Sequence, residues 1–164
     1  MIEEWRPIQG FPGYSVSDGG HVRNDESGQT MSMLVNQGGI VNVGLTKNRV
    51  QYKRSVALLV AHAFIKTARS FEFNTPINLD GDRFNNVVAN LLWRPRWFAV
   101  QYVQQFKREP PGFDVPIVDV VTGEQFKTSW DAAVQYGLLD VDIVLAITCK
   151  TWVWPTYQKF QLLV

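Results

Sequence analysis

The stretch T-P-I-N-L-D-G-D-R-F-N-N-V-V-A-N-L-L-W-R-P, residues 75–95, decides how this chain is read. Its first residues alternate and predict a short strand over 75–79, and Asp80-Gly81 turns the chain. Asn85 or Asn86 is a candidate N-cap for a helix over 87–93. The continuation R-P-R-W-F-A-V-Q-Y-V-Q-Q-F-K-R predicts a further helix beyond Pro95, a residue that suits a first helical turn and not an interior. The quoted stretch is dense in asparagine, aspartate and arginine and holds no histidine.

Working upstream, R-S-V-A-L-L-V-A-H-A-F-I has the apolar density of a short buried helix, with His62 expected as a packed core residue. Y-S-V-S, D-G-G and H-V-R-N predict a hairpin over 14–24, and I-V-N-V-G-L with V-Q-Y-K predicts a second around Lys47-Asn48. Downstream, E-P-P-G-F-D-V-P (residues 109–116) stops the helix and reads as a linker. After it come a strand I-V-D-V-V, a turn T-G-E and a partner strand Q-F-K-T. A helix S-W-D-A-A-V-Q-Y-G ending at glycine follows, then a second helix D-V-D-I-V-L-A-I-T-C-K and an aromatic closing strand. The expected class is α+β, with an N-terminal unit over 1–108, a linker over 109–116 and a small β-αα-β unit over 117–164.

At 164 residues, 46% hydrophobic and 13% aromatic, the chain supports one packed domain or two small ones. No apolar run approaches the roughly 20 residues that cross a bilayer, and M-I-E-E-W-R-P is not ordered like a secretory signal. No membrane partner is expected, and the cytoplasm is the expected location. Cys149 is the only cysteine, which excludes an internal disulfide and a multi-cysteine zinc site, and it is expected to be a small buried residue. Two histidines exclude a histidine-rich metal centre.

Net charge is only +1, but it is unevenly spread. Lys and Arg outnumber Asp and Glu by seven to four over residues 61–110, and are outnumbered three to six over 111–164. Phosphate contact is therefore expected mainly from the middle of the chain. Arg83, Arg94, Arg96, Lys107 and Arg108 form that basic stretch, with Trp93 and Trp97 interleaved, and Arg23, Lys47, Arg49, Lys53 and Arg54 extend it from the hairpins. The second helix of the tail offers Asp140, Asp142, Thr148 and Lys150, few of which suit base edges.

Three pieces in this order resemble the phage-type HNH homing endonucleases. W-R-P-I-Q-G-F-P-G-Y-S-V-S-D-G-G-H-V-R-N is similar to their N-terminal motif. L-V-A-H-A-F-I followed by L-D-G-D-R-F-N-N-V-V-A-N-L-L-W is similar to their nuclease core. F-K-T-S-W-D-A-A-V-Q-Y-G with the helix and strand after it resembles their helix-turn-helix tail. The resemblance implies a ββα-metal core, in which a ribbon histidine deprotonates water and carboxylate or amide side chains seat one divalent ion. It also implies double-stranded DNA as partner, the host cell's cytoplasm as location if the chain is phage-encoded, and no small-molecule substrate.

Carried over residue by residue, the chemistry fails. Ile77 and Asn78 stand where the resemblance implies a metal ligand and then the histidine. Ile77 coordinates nothing, and an asparagine amide is no general base at any accessible pH. Ala57 and Leu58 stand where polar residues are often found. Asn90 matches a helix-borne metal ligand, so Asn78 and Asn90 are vestigial positions. Asp80, Gly81, Asn85 and Asn86 match residues that shape the loop. The expectation is a catalytically inactive protein that binds DNA as a regulator, with no metal or other cofactor. Inhibition of a host protein in transcription, replication or defence is one alternative. A nicking endonuclease with an altered site, using Mg2+, is the other.

Overall fold

Alternation and turn chemistry shape the first part of the computed structural model, which describes residues 2–67, 69–109 and 112–163. Strands β1 (Trp5–Pro7), β2 (Tyr14–Ser17) and β3 (Val22–Asn24) form one antiparallel sheet in that order. Strands β4 (Met33–Val35), β5 (Val41–Lys47) and β6 (Val50–Ser55) form a second. Its tight turn is Asn48-Arg49, one residue beyond the expected position, with φ of 51° and 63°. Two consecutive left-handed residues match the twist of a two-residue hairpin.

Ser55 ends β6 and caps helix α1 (Val56–Phe64), its Oγ accepting from Leu58 N at 3.4 Å. Helix α1 packs on a ribbon made of β7 (Thr75–Asn78) and β8 (Leu91–Arg94). Val16, Val22, Val41, Val43, Leu45, Val56, Val60 and Leu91 form one core beneath these elements. The helix expected over 87–93 is absent. Only a single 3-10 turn, Val88–Asn90, precedes β8. L-L-W-R instead pairs with T-P-I-N in the register Thr75↔Arg94 to Asn78↔Leu91, which buries Leu91 and Trp93. Long-range pairing overrides the local helical preference here.

Contacts divide the chain into Met1–Arg96 and Trp97–Val164. The division lies well before the expected linker, whose Pro110 and Pro111 fall outside the described residues. Its physical reason is helix α2 (Arg96–Gln105), expected to close the N-terminal unit. Gln105 near its end donates to Leu138 O at 3.2 Å and accepts from Asp140 N at 3.1 Å, tying α2 into the second unit.

The second unit holds β9 (Ile117–Asp119), β10 (Gln125–Phe126) and β11 (Phe160–Leu162), with β9 central. Helix α3 (Ser129–Tyr136) starts at a Thr128–Asp131 capping box and stops at Gly137, whose φ is 62°. Helix α4 (Asp140–Cys149) follows after Leu138 and Leu139. Ile117, Phe126, Ala132, Leu138, Ile143, Val153 and Phe160 make its core. Cys149, expected inside, is exposed, because it lies in the last turn of α4 past Ala146, the final buried residue of that helix. No described helix is long and apolar enough to cross a membrane.

Asp119 is buried at the end of β9. Its Oδ1 accepts from Val121 N at 2.9 Å and its Oδ2 from Gln158 Nε2 at 3.0 Å. Burial pushes its pKa up, but the donors, Gln158 foremost, outweigh burial and hold it below the ordinary value. A depressed folded-state value contributes stability that is present above the unfolded value, about 3.9, and lost as pH falls through the folded one. Urea unfolding from neutral pH downward should show that loss in the wild type. Asp119→Asn should be less stable at neutral pH and lack this component.

Candidate functional site

The ribbon β7–β8 and the loop 79–90 hold the residues that the sequence singles out. Period-two alternation places Asn78, Leu91 and Trp93 on one face of the ribbon and Ile77, Leu92 and Arg94 on the other. Ile77 is only 2% exposed and presents no ligating atom. Asn78 is 9% exposed, and its Nδ2 donates to Asn85 O at 2.8 Å and to Asn86 Oδ1 at 3.1 Å.

Asn90 is not on the helix that follows the ribbon. It ends the 3-10 turn before β8, and this corrects its expected placement as a helix-borne ligand. Its Nδ2 donates to Asp80 Oδ1 and to Asn85 O, both at 2.8 Å, and its Oδ1 accepts from Asp80 N at 3.1 Å. The sequence placed it on a helix because the 87–93 segment reads as helical in isolation. Helix α2, which does follow the ribbon, reads R-W-F-A-V-Q-Y-V-Q-Q and contains no aspartate, glutamate, histidine or asparagine.

Asp80, Gly81, Asn85 and Asn86 are brought together as loop-shaping residues. Asp80 Oδ1 also accepts from Asp82 N at 2.9 Å, and its Oδ2 accepts from Asn85 Nδ2 at 2.6 Å. Gly81 turns the chain with φ of 75°, and its N–H donates to Asn78 O at 3.0 Å. Asn86 does not cap a helix; its Nδ2 donates to Arg83 O at 3.0 Å. The side-chain amides at this centre are thus spent on the chain itself. A divalent ion of the kind a ββα core implies needs several converging oxygen or nitrogen lone pairs. The aliphatic side chain of Ile77 supplies no lone pair at the ligand position, and the amide of Asn78 at the next is no general base.

His62, expected in the core, is exposed, its ring edge-on to Trp93 at 5.3 Å. Trp93 pairs with Pro76, two residues along β7 from Asn78. Burial first, and then the charge of Arg69, hold its pKa below the usual histidine value.

The basic residues divide into several groups. Arg94 is buried, 7% exposed, and its Nη1 donates to Trp93 O at 2.9 Å, so it is a ribbon-stabilising residue and not a surface cation. Arg83 donates to Gly38 O and fastens the loop to the β4–β5 turn. Arg23 lies over Trp5 at 4.3 Å, and Arg54 over Phe11 and Tyr52 at 5.1 and 5.2 Å. Lys53 and Arg96 are exposed in the first unit, and Lys107 and Arg108 in the second. The hairpin cations expected from the sequence gather on the β5–β6 ribbon. It carries Lys47, Arg49 and Lys53 exposed on one hairpin. The signal was the alternation of T-K-N-R-V-Q-Y-K itself.

Residues 3–46 match the NUMOD4 motif. Over 93 residues the chain is 32% identical to the uncharacterized HNH endonuclease L245 of Acanthamoeba polyphaga mimivirus, covering 57% of this chain and 27% of that protein. It is 31% identical over 94 residues to L247 of the same virus, covering 56% and 23%. The chain thus matches about a quarter of the length of these relatives. Among solved structures, that of DNA binding and cleavage by the HNH homing endonuclease I-HmuI matches with a TM-score of 0.56 at 21% identity, covering 97% of both chains. The chain thus carries a NUMOD4 motif and shares its fold with a solved HNH homing endonuclease.

The network around Asn85 makes a stability prediction. Asn90→Ala strips a donor from the Asn85 carbonyl and another from Asp80, and should lower stability by about 1–3 kcal/mol in urea unfolding. Asn85→Ala keeps the carbonyl and loses only the bond to Asp80, so it should cost less. Equal costs would show that the carbonyl is not the anchor.

Proposed function

We propose that this chain binds double-stranded DNA on an HNH-type scaffold without hydrolysing it, and acts as a regulator. One observation carries the reading. The two ribbon positions that should supply a metal ligand and a general base are Ile77 and an Asn78 whose amide is already donated to Asn85 and Asn86. Loss of a general base alone costs on the order of 10²–10⁴ in rate, and loss of the metal removes several kcal/mol more. The other ribbon and helix positions carry no replacement that would offset both.

Binding is favoured by the β4–β5–β6 sheet. Asn42, Gly44 and Thr46 of β5 share one face with Ser55, Lys53 and Gln51 of β6. A Cβ at Gly44 would come within 2.6 Å of Gln51 Nε2, so the glycine lets that amide lie across the strand. Amide, hydroxyl and ammonium groups on an exposed two-stranded ribbon suit base edges and phosphates in a major groove. Lys47 and Arg49 at the hairpin tip add charge.

A helix-turn-helix role for α3 and α4 is a weaker part of the reading. A bend of 120° between the helices at a short glycine turn supports it. The outer face of α4, however, offers Val141 and Leu145, 58% and 60% exposed, more than it offers donors. DNA contact is therefore assigned mainly to the first unit.

Gel-shift titration should give a shift that weakens as salt rises. Replacing Lys47, Arg49 and Lys53 together by alanine should reduce the salt slope by up to about three. No shift at low salt would remove DNA as the partner. Plasmid nicking with Mg2+ or Mn2+ should be undetectable. Asn78→His alone should not create it, because Ile77 still supplies no ligand. Metal-dependent nicking that disappears in Asn78→Ala or Asn90→Ala would sink the inactive reading.

A further inference from the structure

We propose that the second unit contains a binding site for a cationic nitrogen group, an ammonium or guanidinium on a short aliphatic stem. The site is a pocket of about 420 Å³ beside the start of α4, within the roughly 300–1,000 Å³ typical of small-ligand sites. Asp140, Gln104, Arg108, Trp130 and Val141 are among its lining residues.

Asp140 is the first residue of α4 and is only 7% exposed. Its Oδ2 accepts from Gly112 N at 2.6 Å. Its Oδ1 is buried and has no hydrogen-bond partner among the described residues. Pro110 and Pro111, by residue type, have no N–H to offer it. The carboxylate is also held in place. The Asp140 backbone N–H donates to Gln105 Oε1, and a Cβ on Gly112 would fall 2.2 Å from Val144 Cγ2, so the Gly112 backbone sits directly on the helix.

A buried carboxylate oxygen without a donor is costly, and a ligand N–H that reaches it recovers that cost. The charge of the wall selects the ligand's sign. Asp140 and Glu109 against Arg108 leave one net negative charge on the lining. The positive end of the α4 dipole already has Asp140 upon it, which disfavours a second anion. The Trp130 indole supplies an aromatic surface of the kind that attracts a cation. A divalent metal fits less well, since among the described residues no three His, Cys, Asp or Glu side chains gather. None of these residues belongs to the ribbon or its loop, so the site is independent of the DNA-binding reading.

Isothermal titration of the full chain with agmatine tests the proposal, with an acetylated and amidated Gly-Arg-Gly peptide as second probe. Agmatine should bind, and binding of the peptide as well would identify the ligand as a partner's side chain in place of a free small molecule. Asp140→Asn should weaken binding by roughly tenfold or more, with the fold checked by circular dichroism. Should that variant not fold, exposed Gln104 decides the matter: Gln104→Glu should tighten binding and Gln104→Lys weaken it. No heat from either probe at millimolar concentration overturns the proposal. So does an Asp140→Asn variant that folds and binds as the wild type does, or a pair of Gln104 variants with equal affinity.

Discussion

The carbonyl oxygen of Asn85 is the point on which the ribbon and its loop depend. It accepts one amide from Asn78, at the end of β7, and another from Asn90, at the start of β8. The two strands are thus clamped where the loop leaves and where it returns. Asp80 repeats the pattern from the other side, taking N–H groups from Asp82, Asn85 and Asn90. Buried polar groups must find partners, and a fully satisfied network rigidifies what surrounds it. The amide nitrogens and the carboxylate of this network are bonded to the chain itself, and that is what holds the loop in one shape.

The same loop binds the first unit together. Val88 N donates to Asp18 O at 2.9 Å, and Asn86 O lies 3.0 Å from where a Gly20 Cβ would stand. Gly20, with φ of 87°, is therefore required by both its conformation and its close approach to the loop. Arg83 reaches from the loop to Gly38 on the β4–β5 turn. The N-terminal hairpin, the basic sheet and the ribbon are in this way parts of one body. A DNA-facing surface on β5 and β6 would be carried on a stiff support.

The helices and the β9–β10 turn of the second unit are built on local signals, whereas β9–β11 pairing joins distant residues. Thr128 and Asp131 form a capping box, Gly137 takes the left-handed conformation, and T-G-E turns β9 into β10. These signals act over a few residues and were legible in the sequence, as were the two hairpins and α1. The β7–β8 ribbon was half legible. T-P-I-N reads as a strand by itself, whereas A-N-L-L-W reads as helix until its long-range partner is known. Asn90 was misplaced for that reason, and Arg94 passed for a surface cation because burial by a paired strand leaves no mark in composition.

What the sequence determined alone is what two side chains cannot do: an isoleucine has no lone pair and an amide no useful basicity, wherever the fold puts them. It also determined the order of hairpins, helices and turns, because those depend on neighbours within a few residues. Which asparagines meet, and that they share one backbone carbonyl, was decided only in three dimensions. So was the burial of one oxygen of Asp140 with no hydrogen-bond partner among the described residues. Both require residues far apart along the chain to be brought within hydrogen-bonding distance, and only packing fixes that.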